Sequence, residues 1–323
     1  MPKKSWLVEK TGDLKDFPGE FEDIVCNFCG STEREILARI KDYETFYPGF
    51  FTVVRCLKCG FIYLAPRPTQ ETLIKYYYPE EYTCYGKQSC NFFDNLRILV
   101  ICRPKVQLIR QLVNNRTISV LDVGCGDGKL LGYMKHHTNW DLQGVDPNPI
   151  ATELAREKGL EVTPTTLEGA NLRDGAFDVI TMCQVIEHVP FPYETMKIVH
   201  RILKKGGYFI SENPSYGGLE CRFFGEHWWG YHAPRHLYQY SYETFSKMAE
   251  AAGFKVIKIK SKRRPGGIAW SFQCRLLDHG HSKKVAAFFG LNNPLMAFAL
   301  AGPEILISLL DRTSMMEVVC QKV

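Results

Sequence analysis

Three short stretches of this 323-residue sequence carry side chains whose types and spacing suit chemistry. The first is "TISVLDVGCGDGKLLGYM", Thr117 to Met134, an apolar run that ends in a loop with glycines at 124, 126 and 128 and continues as a helical pattern. Glycine there lets the main chain lie close against a ligand. The GxGxG spacing departs from the GxGxxG of dinucleotide sites. Asp122 stands at the strand end and Asp127 inside the loop, with no lysine placed as in a phosphate-binding loop. Two carboxylates in a partly desolvated site repel a phosphate and favour a cation. About twenty residues on, "GVDPNP" puts Asp146 at the end of a second strand, where a carboxylate can accept both hydroxyls of a ribose. A nucleoside bearing a sulfonium and an ammonium group, S-adenosylmethionine, satisfies both ends.

The second stretch is a pair of knuckles, "CNFCGS" and "CLKCGF", which place Cys26, Cys29, Cys56 and Cys59 as two CxxC units about 26 residues apart. A glycine follows each second cysteine and permits the tight turn that presents two sulfurs to one ion. Four thiolates close a tetrahedral Zn²⁺ site and leave no position for water, so the metal expected is structural. An iron–sulfur centre takes the same ligands, and the sequence leaves that alternative open. "FFTVVRC" and "FIYLAP" read as strands beside the second knuckle.

From Thr117 to about Lys260 the chain resembles the catalytic domain of class I S-adenosylmethionine-dependent methyltransferases. "LDVGCGDG" matches the first motif, "GVDPNP" the ribose acid, "FDVITMCQVIEHV" the fourth strand and its loop, and "LKKGGYFISENP" the fifth. The resemblance implies an α/β, Rossmann-like seven-stranded sheet whose last two strands, "FKVIKIK" and "EVVCQK", pair antiparallel. It also implies cofactor contacts from Asp122, Gly124, Cys125, Gly126, Asp146 and Pro147. Thr166, Leu167 and Glu168 would frame the adenine, with Cys183 and Gln184 near the methionine moiety. Together with the ribbon and "LAPRPTQETLIKYYYPEEY", the chain is similar to zinc-ribbon methyltransferases that include nucleotide-sugar C-methyltransferases. Those carry a further C-terminal domain, which weakens the inference about substrate. The loop "CQVIEHV" also resembles that of quinone-biosynthesis O-methyltransferases, where acids and a histidine hold a divalent ion. Gln184 stands at one acid position here, leaving Glu187 and His188.

Methyl transfer from a sulfonium is an in-line displacement, so the protein mainly aligns the groups and excludes water. A base is needed where the acceptor must lose a proton, and histidine suits that task near neutral pH. His188, after the fourth strand, is the first candidate, with a structural cap as its alternative. The third stretch, "FFGEHWWGYHAPRHLYQYS", supplies the second candidate, His236. That stretch reads either as a lid, with Trp228 and Trp229 as walls and Arg235 or His236 orienting an acceptor oxygen, or as a plug in which His236 satisfies a carbonyl. No Asn/Asp-Pro-Pro-Tyr motif follows the fourth strand, which counts against amino-group methylation of DNA.

These residues need a scaffold, and the pattern of elements supplies one. Short apolar runs alternate with amphipathic segments after Thr117, as in βαβ units around a parallel sheet. Helical patterns include "PKVQLIRQLVNN", which Pro104 can open, a short one near "TTLEGA", and "YETMKIVHRILKKG", ending on Gly206. The organisation expected is a zinc ribbon over 20–66, a tyrosine-rich helical connector over 67–116, and a methyltransferase domain over 117–323 with an apolar helical insertion near 265–314. The tyrosines at 76, 77, 78, 82 and 85 either close over the cofactor or join ribbon to core.

Composition is that of a globular protein, with 45% hydrophobic and 23% charged residues. The net charge of +5 is too small to argue for a polyanionic partner, so nucleic acid is unsupported. No apolar leader follows the first lysines, and paired cysteines suit a reducing, cytoplasmic setting. Asn293-Pro294 and Gly302-Pro303 break the insertion into pieces shorter than a membrane span, which leaves burial, a subunit contact, or contact with a membrane or lipid-like substrate. The reading is a methyltransferase acting on an oxygen or carbon of a small molecule, with a glycan or lipid-linked intermediate as candidates. Its rivals are an RNA methyltransferase that grips RNA through the ribbon and the basic run "KIKSKRR", and a non-catalytic cofactor-binding module.

Overall fold

A computed structural model describes residues 19–77 except 45, 47 and 48, then 92–263, 266–289 and 313–323, with single positions between 293 and 307. Tyr78, Tyr82, Tyr85 and most of 290–312 within the insertion lie outside the described residues, as do the side chains of Tyr76 and Tyr77.

The N-terminal part is a small β unit of β1 (Phe21–Glu22), β2 (Arg34–Ile40), β3 (Phe51–Cys56), β4 (Ile62–Leu64) and β5 (Arg67–Pro68). β2, β3 and β4 form an antiparallel meander, and β1 pairs with β5. Each knuckle closes on its glycine: Gly30 donates its N–H to the carbonyl of Cys26 at 2.8 Å, and Gly60 to that of Cys56 at 2.9 Å. Both glycines hold positive φ, +73° and +81°, a conformation other residues adopt at a cost.

Two helices follow, α1 (Gln70–Tyr77) and α2 (Phe92–Leu112). Pro104 lies inside α2 and does not open it. Burial outweighs the lost N–H: Val106, Ile109 and Val113 pack with Val120, Val179 and Ile210 of the central sheet, which anchors the segment after Pro104. The preceding residues Leu99, Val100 and Ile101 are exposed, so the carbonyl that loses its partner lies on the solvent side.

The chain then builds β6 (Ser119–Val123), α3 (Lys129–His137), β7 (Asp141–Val145), α4 (Pro149–Glu157), β8 (Glu161–Thr163), β9 (Phe177–Cys183), α5 (Pro192–Ile202) and β10 (Leu203–Pro214). After α6 (Leu219–Phe224) come β11 (Tyr238–Gln239), α7 (Tyr242–Ala251), β12 (Phe254–Lys262), α8 (Gly267–Asp278), α9 (Lys283–Phe288) and β13 (Met315–Lys322). The large sheet has the order β12-β13-β10-β9-β6-β7-β8. β6 to β10 run parallel, and β13 is antiparallel to both β10 and β12. The seven strands and the antiparallel final pair are those expected. Both faces of the central strands are covered, which is why "SVLDV" and "FDVITMC" read as near-continuous apolar runs.

Two helical expectations fail. "TTLEGA" forms only a turn, for six residues with a glycine cannot repay helix nucleation. α5 stops at Ile202, and Leu203 to Gly207 already belong to β10, whose strand pairing with β9 takes the lysines out of the helix. One strand crosses between units: β11, which falls between β10 and β12 in the chain, pairs antiparallel with β4, completing a four-stranded ribbon sheet of order β11-β4-β3-β2.

Candidate active site

The strand order reverses between β6 and β9, and ligands of open α/β sheets bind beyond the carboxyl ends of strands at such a point. Asp122 on β6 lies opposite Thr181 on β9, whose hydroxyl donates to Asp122 Oδ1 at 2.6 Å. Burial pushes the Asp122 carboxyl up to about 6, with the Asp146 charge adding to the rise. Asp146 follows β7 and accepts the N–H of Gly126 at 2.8 Å and of Asn148 at 2.8 Å. Its pKa is also raised, by burial first and by Asp127 as well. Asn148 in turn caps α4 by accepting from the N–H groups of Ile150 and Ala151. Gly124 sits at φ +69°, and a Cβ added there would fall 2.3 Å from Val185 Cγ2. The missing side chain therefore admits the loop that carries His188.

Asp127 behaves differently from its two neighbours. Lys158 reaches its carboxylate at 3.3 Å and Lys129 at 3.9 Å, so the acid inside the loop is matched by cations. The anionic character of the rim rests on Asp122 and Asp146. Cys125 is buried beneath the loop, and Pro147 is exposed beside Asp146. Thr166, Leu167 and Glu168 form the turn after β8; Leu167 is buried and Glu168 accepts from the Thr195 hydroxyl at 2.8 Å. Cys183 ends β9, and Gln184 follows at φ +57° with its N–H on the Glu212 carbonyl at 2.6 Å.

Sequence reasoning missed Lys105. It leaves α2, is 2% exposed, and lays its ammonium between the Cys183 thiol and Glu212 Oε2, the latter at 3.0 Å. Burial alone would raise the Glu212 pKa, but Lys105 and Lys262 hold it down at about 2. Lys262 also reaches Glu317 at 3.2 Å, and Lys260 reaches Glu317 at 2.7 Å. Two lysines of the basic run at the end of β12, Lys260 and Lys262, are thus matched internally by two buried acids. An alternating Lys in an amphipathic helix reads as a surface residue, and only the fold turns Lys105 inward.

His188 and His236, predicted from separate stretches, come together with ring centroids 4.6 Å apart and edge to face. His188 Nδ1 donates to the Arg235 carbonyl at 3.0 Å, and His236 Nδ1 to the Gly230 carbonyl at 2.7 Å. Each ring therefore keeps Nε2 as its lone-pair nitrogen. Burial pushes the His188 pKa down to about 3, so the ring is neutral near pH 7. Glu187, fully buried, lies close by: its Oε1 is 4.0 Å from His236 Nε2. Glu187, His188 and His236 offer ligand atoms that all lie within 4.8 Å of one another, and a carbonyl behind each imidazole suits a metal-binding set.

The tryptophans do not line an open pocket. Trp228 and Trp229 are buried, with Trp228 Nε1 donating to Ser314 Oγ at 2.9 Å and the Trp229 N–H to Ser271 Oγ at 3.0 Å. They plug the space between α8 and β13. Arg235 is likewise closed in: its guanidinium lies 3.4 Å from Asp42 and 3.3 Å from Glu44, both in the β2–β3 connection.

In the ribbon, Cys26 Sγ lies 3.5 Å from Cys59 Sγ, and Cys29 Sγ 3.5 Å from Cys56 Sγ. All four sulfurs lie within 4.8 Å of one another. Sulfurs at the corners of a tetrahedron around Zn²⁺ are separated by about 3.8 Å, so the cluster fits that ion. No disulfide joins the described cysteines.

A family model described as a methyltransferase domain matches residues 97–259, half of the chain. The chain belongs to that family. The sheet order, glycine loop and paired acids make it a class I S-adenosylmethionine-dependent methyltransferase domain. The chain is 38% identical over 96 residues to a ubiquinone biosynthesis O-methyltransferase of Cronobacter sakazakii, covering 28% of this chain and 39% of that protein. It is 33% identical over 107 residues to the protein of the same name in Pseudomonas paraeruginosa, covering 30% and 46%. The matches thus span less than half the length of these relatives. A solved S-adenosylmethionine-dependent methyltransferase of Archaeoglobus fulgidus superposes on 72% of this chain and 100% of its own, with 18% identity and a TM-score of 0.48. Geranyl diphosphate C-methyltransferase of Streptomyces coelicolor covers 68% and 77%, with 11% identity and a TM-score of 0.47. No helix among the described residues is long and apolar enough to cross a membrane.

Proposed function

We propose that the chain transfers a methyl group from S-adenosylmethionine to an oxygen or carbon of a small molecule. The observation that carries this reading is the meeting of His188, on the loop that packs over Gly124, with His236 from the segment before β11, each with its Nδ1 on a backbone carbonyl. A lone-pair nitrogen beside the cofactor loop suits an acceptor that must give up a proton, as a hydroxyl or an activated carbon does. When bound, the cofactor supplies an electrophilic methyl group on a sulfonium.

The chain's own residues fit that group. Asp146 braces the glycine loop and keeps lone-pair capacity for ribose hydroxyls, while Asp122 offers negative charge at the sulfonium and ammonium end. Lys105, held between Glu212 and Cys183, offsets the Glu212 charge beneath the same rim. Thr166, Leu167 and Glu168 border the adenine side, and Cys125, Pro147 and Gln184 complete the surround. His188, with His236 behind it, takes the acceptor proton; because burial holds its pKa low, it suits an acceptor whose proton is already acidic. In the ribbon, Cys26, Cys29, Cys56 and Cys59 would hold a structural Zn²⁺. The names of the relatives favour an oxygen acceptor.

The pairing of Lys260 and Lys262 with Glu317 and Glu212 removes much of the support for an RNA substrate. The test is to incubate the protein with cofactor labelled in its methyl group and fractionated cell extract. Label should appear in a small molecule, at a rate insensitive to moderate salt; label in RNA, with steep salt dependence, would replace this reading.

A further inference from the structure

We propose that the ribbon is a positioning device for the acceptor-side histidine His188: Asn27 fixes its loop through Pro190. This rests on the reading of His188 given above.

Asn27 lies between Cys26 and Cys29, within the first knuckle. Its side-chain amide donates to the Pro190 carbonyl at 2.8 Å and to the Tyr238 hydroxyl at 2.7 Å. Pro190 is two residues past His188, and its carbonyl also accepts from Arg67 at 2.8 Å and from Tyr238 at 2.9 Å. Three donors converge on one carbonyl, two of them from the ribbon and one from β11. Buried donors without an acceptor are costly, so this carbonyl has little freedom to move. The backbone agrees: the Glu187 carbonyl accepts from Leu237 at 2.8 Å, and the Leu237 carbonyl accepts from Leu64 of β4 at 2.9 Å. The knuckle turn therefore sets where the His188 loop sits.

Asn27 touches no reacting atom in this scheme; it is a positioning residue.

The experiment uses the full, zinc-loaded chain with ¹⁵N-labelled histidine, at one fixed pH, and reads which ring nitrogen of His188 carries the proton and where its signals lie. In the unaltered chain His188 should be protonated at Nδ1, on the Arg235 carbonyl. Asn27→Asp, which cannot donate to Pro190, should shift the His188 signals, and Arg67→Met, which removes another donor to the same carbonyl, should shift them too. Zinc content should not change in either variant. Unmoved His188 signals in both variants would overturn the proposal. If Asn27→Asp does not fold, Arg67→Met decides alone: unmoved His188 signals there overturn it. Failure of the unaltered protein to bind cofactor would strike the methyltransferase reading instead, and is measured separately.

Discussion

The backbone N–H of Gly126 meets Asp146 Oδ2 at 2.8 Å, so the acid that ends the second strand braces the glycine loop that follows the first. One carboxylate thereby shapes the loop and faces the cofactor. Asp146→Ala should leave the Gly126 and Asn148 donors without their acceptor, lower stability by about 1–3 kcal/mol, and weaken cofactor binding more than tenfold. Calorimetry and thermal melts measure the two effects. Unchanged affinity would remove the ribose role from Asp146.

Asp122 should show a trade between stability and binding. Its folded pKa is about 6 against an ordinary value of 3.8, raised by burial. As pH climbs from about 4 to 6 the unfolded chain ionises this group first, so the cofactor-free protein loses stability across that window, on the order of 3 kcal/mol from this group. Asp122→Asn should abolish that loss and raise the melting temperature near pH 7, while weakening a cationic cofactor. In the unaltered protein, affinity for the cofactor should rise as pH increases through 6. A flat profile from pH 5 to 7.5 would contradict the assignment.

Gly124→Ala tests the packing of the histidine loop. The added methyl group meets Val185 in a backbone conformation at φ +69° that alanine resists. A loss of about 1–3 kcal/mol is expected, with weaker cofactor binding because the loop must shift. Gly124→Ala combined with Val185→Ala should recover part of both, since the clash is with the valine methyl.

His188→Ala and His236→Ala should each slow turnover on an identified acceptor by about 10²-fold or more, with cofactor affinity retained. The two losses should not add in the double variant, because the rings form one unit. Full activity in both single variants would sink the base assignment.

Replacing Cys29 with Ser should lower zinc content and melting temperature together. Cobalt offered in place of zinc should give the absorption of a tetrahedral thiolate site. A protein that keeps its melting temperature after complete chelation would refute a structural role for the metal.

Local patterns carried most of the fold into the sequence. The βαβ rhythm, the glycine loop, Asp146 at its distance and the two knuckles are contiguous signals, and each stands where expected. What stayed hidden depends on long-range contact. Lys105 reads as one more polar residue of a helix, and nothing nearby announces that Glu212 will take its charge. Asp42 and Glu44 sit in a short connection, yet they meet Arg235 and His232 nearly two hundred residues later. The match of Asp127 with Lys129 was legible in part, since that lysine follows the loop almost directly; Lys158 was not. Pro104 misled because packing with the sheet overrode a breaker. The His-Trp stretch left two readings open, and burial of both tryptophans decided for the plug.

Because Tyr238 and Gln239 supply the outer strand of the ribbon's own sheet, the two units are woven together and not merely strung in sequence. Excising the first sixty-odd residues would strip a hydrogen-bonded neighbour from the loop that holds His236, leaving a raw, sticky border. A chimera that imports a foreign ribbon would have to import the matching loop with it, or fail at the seam.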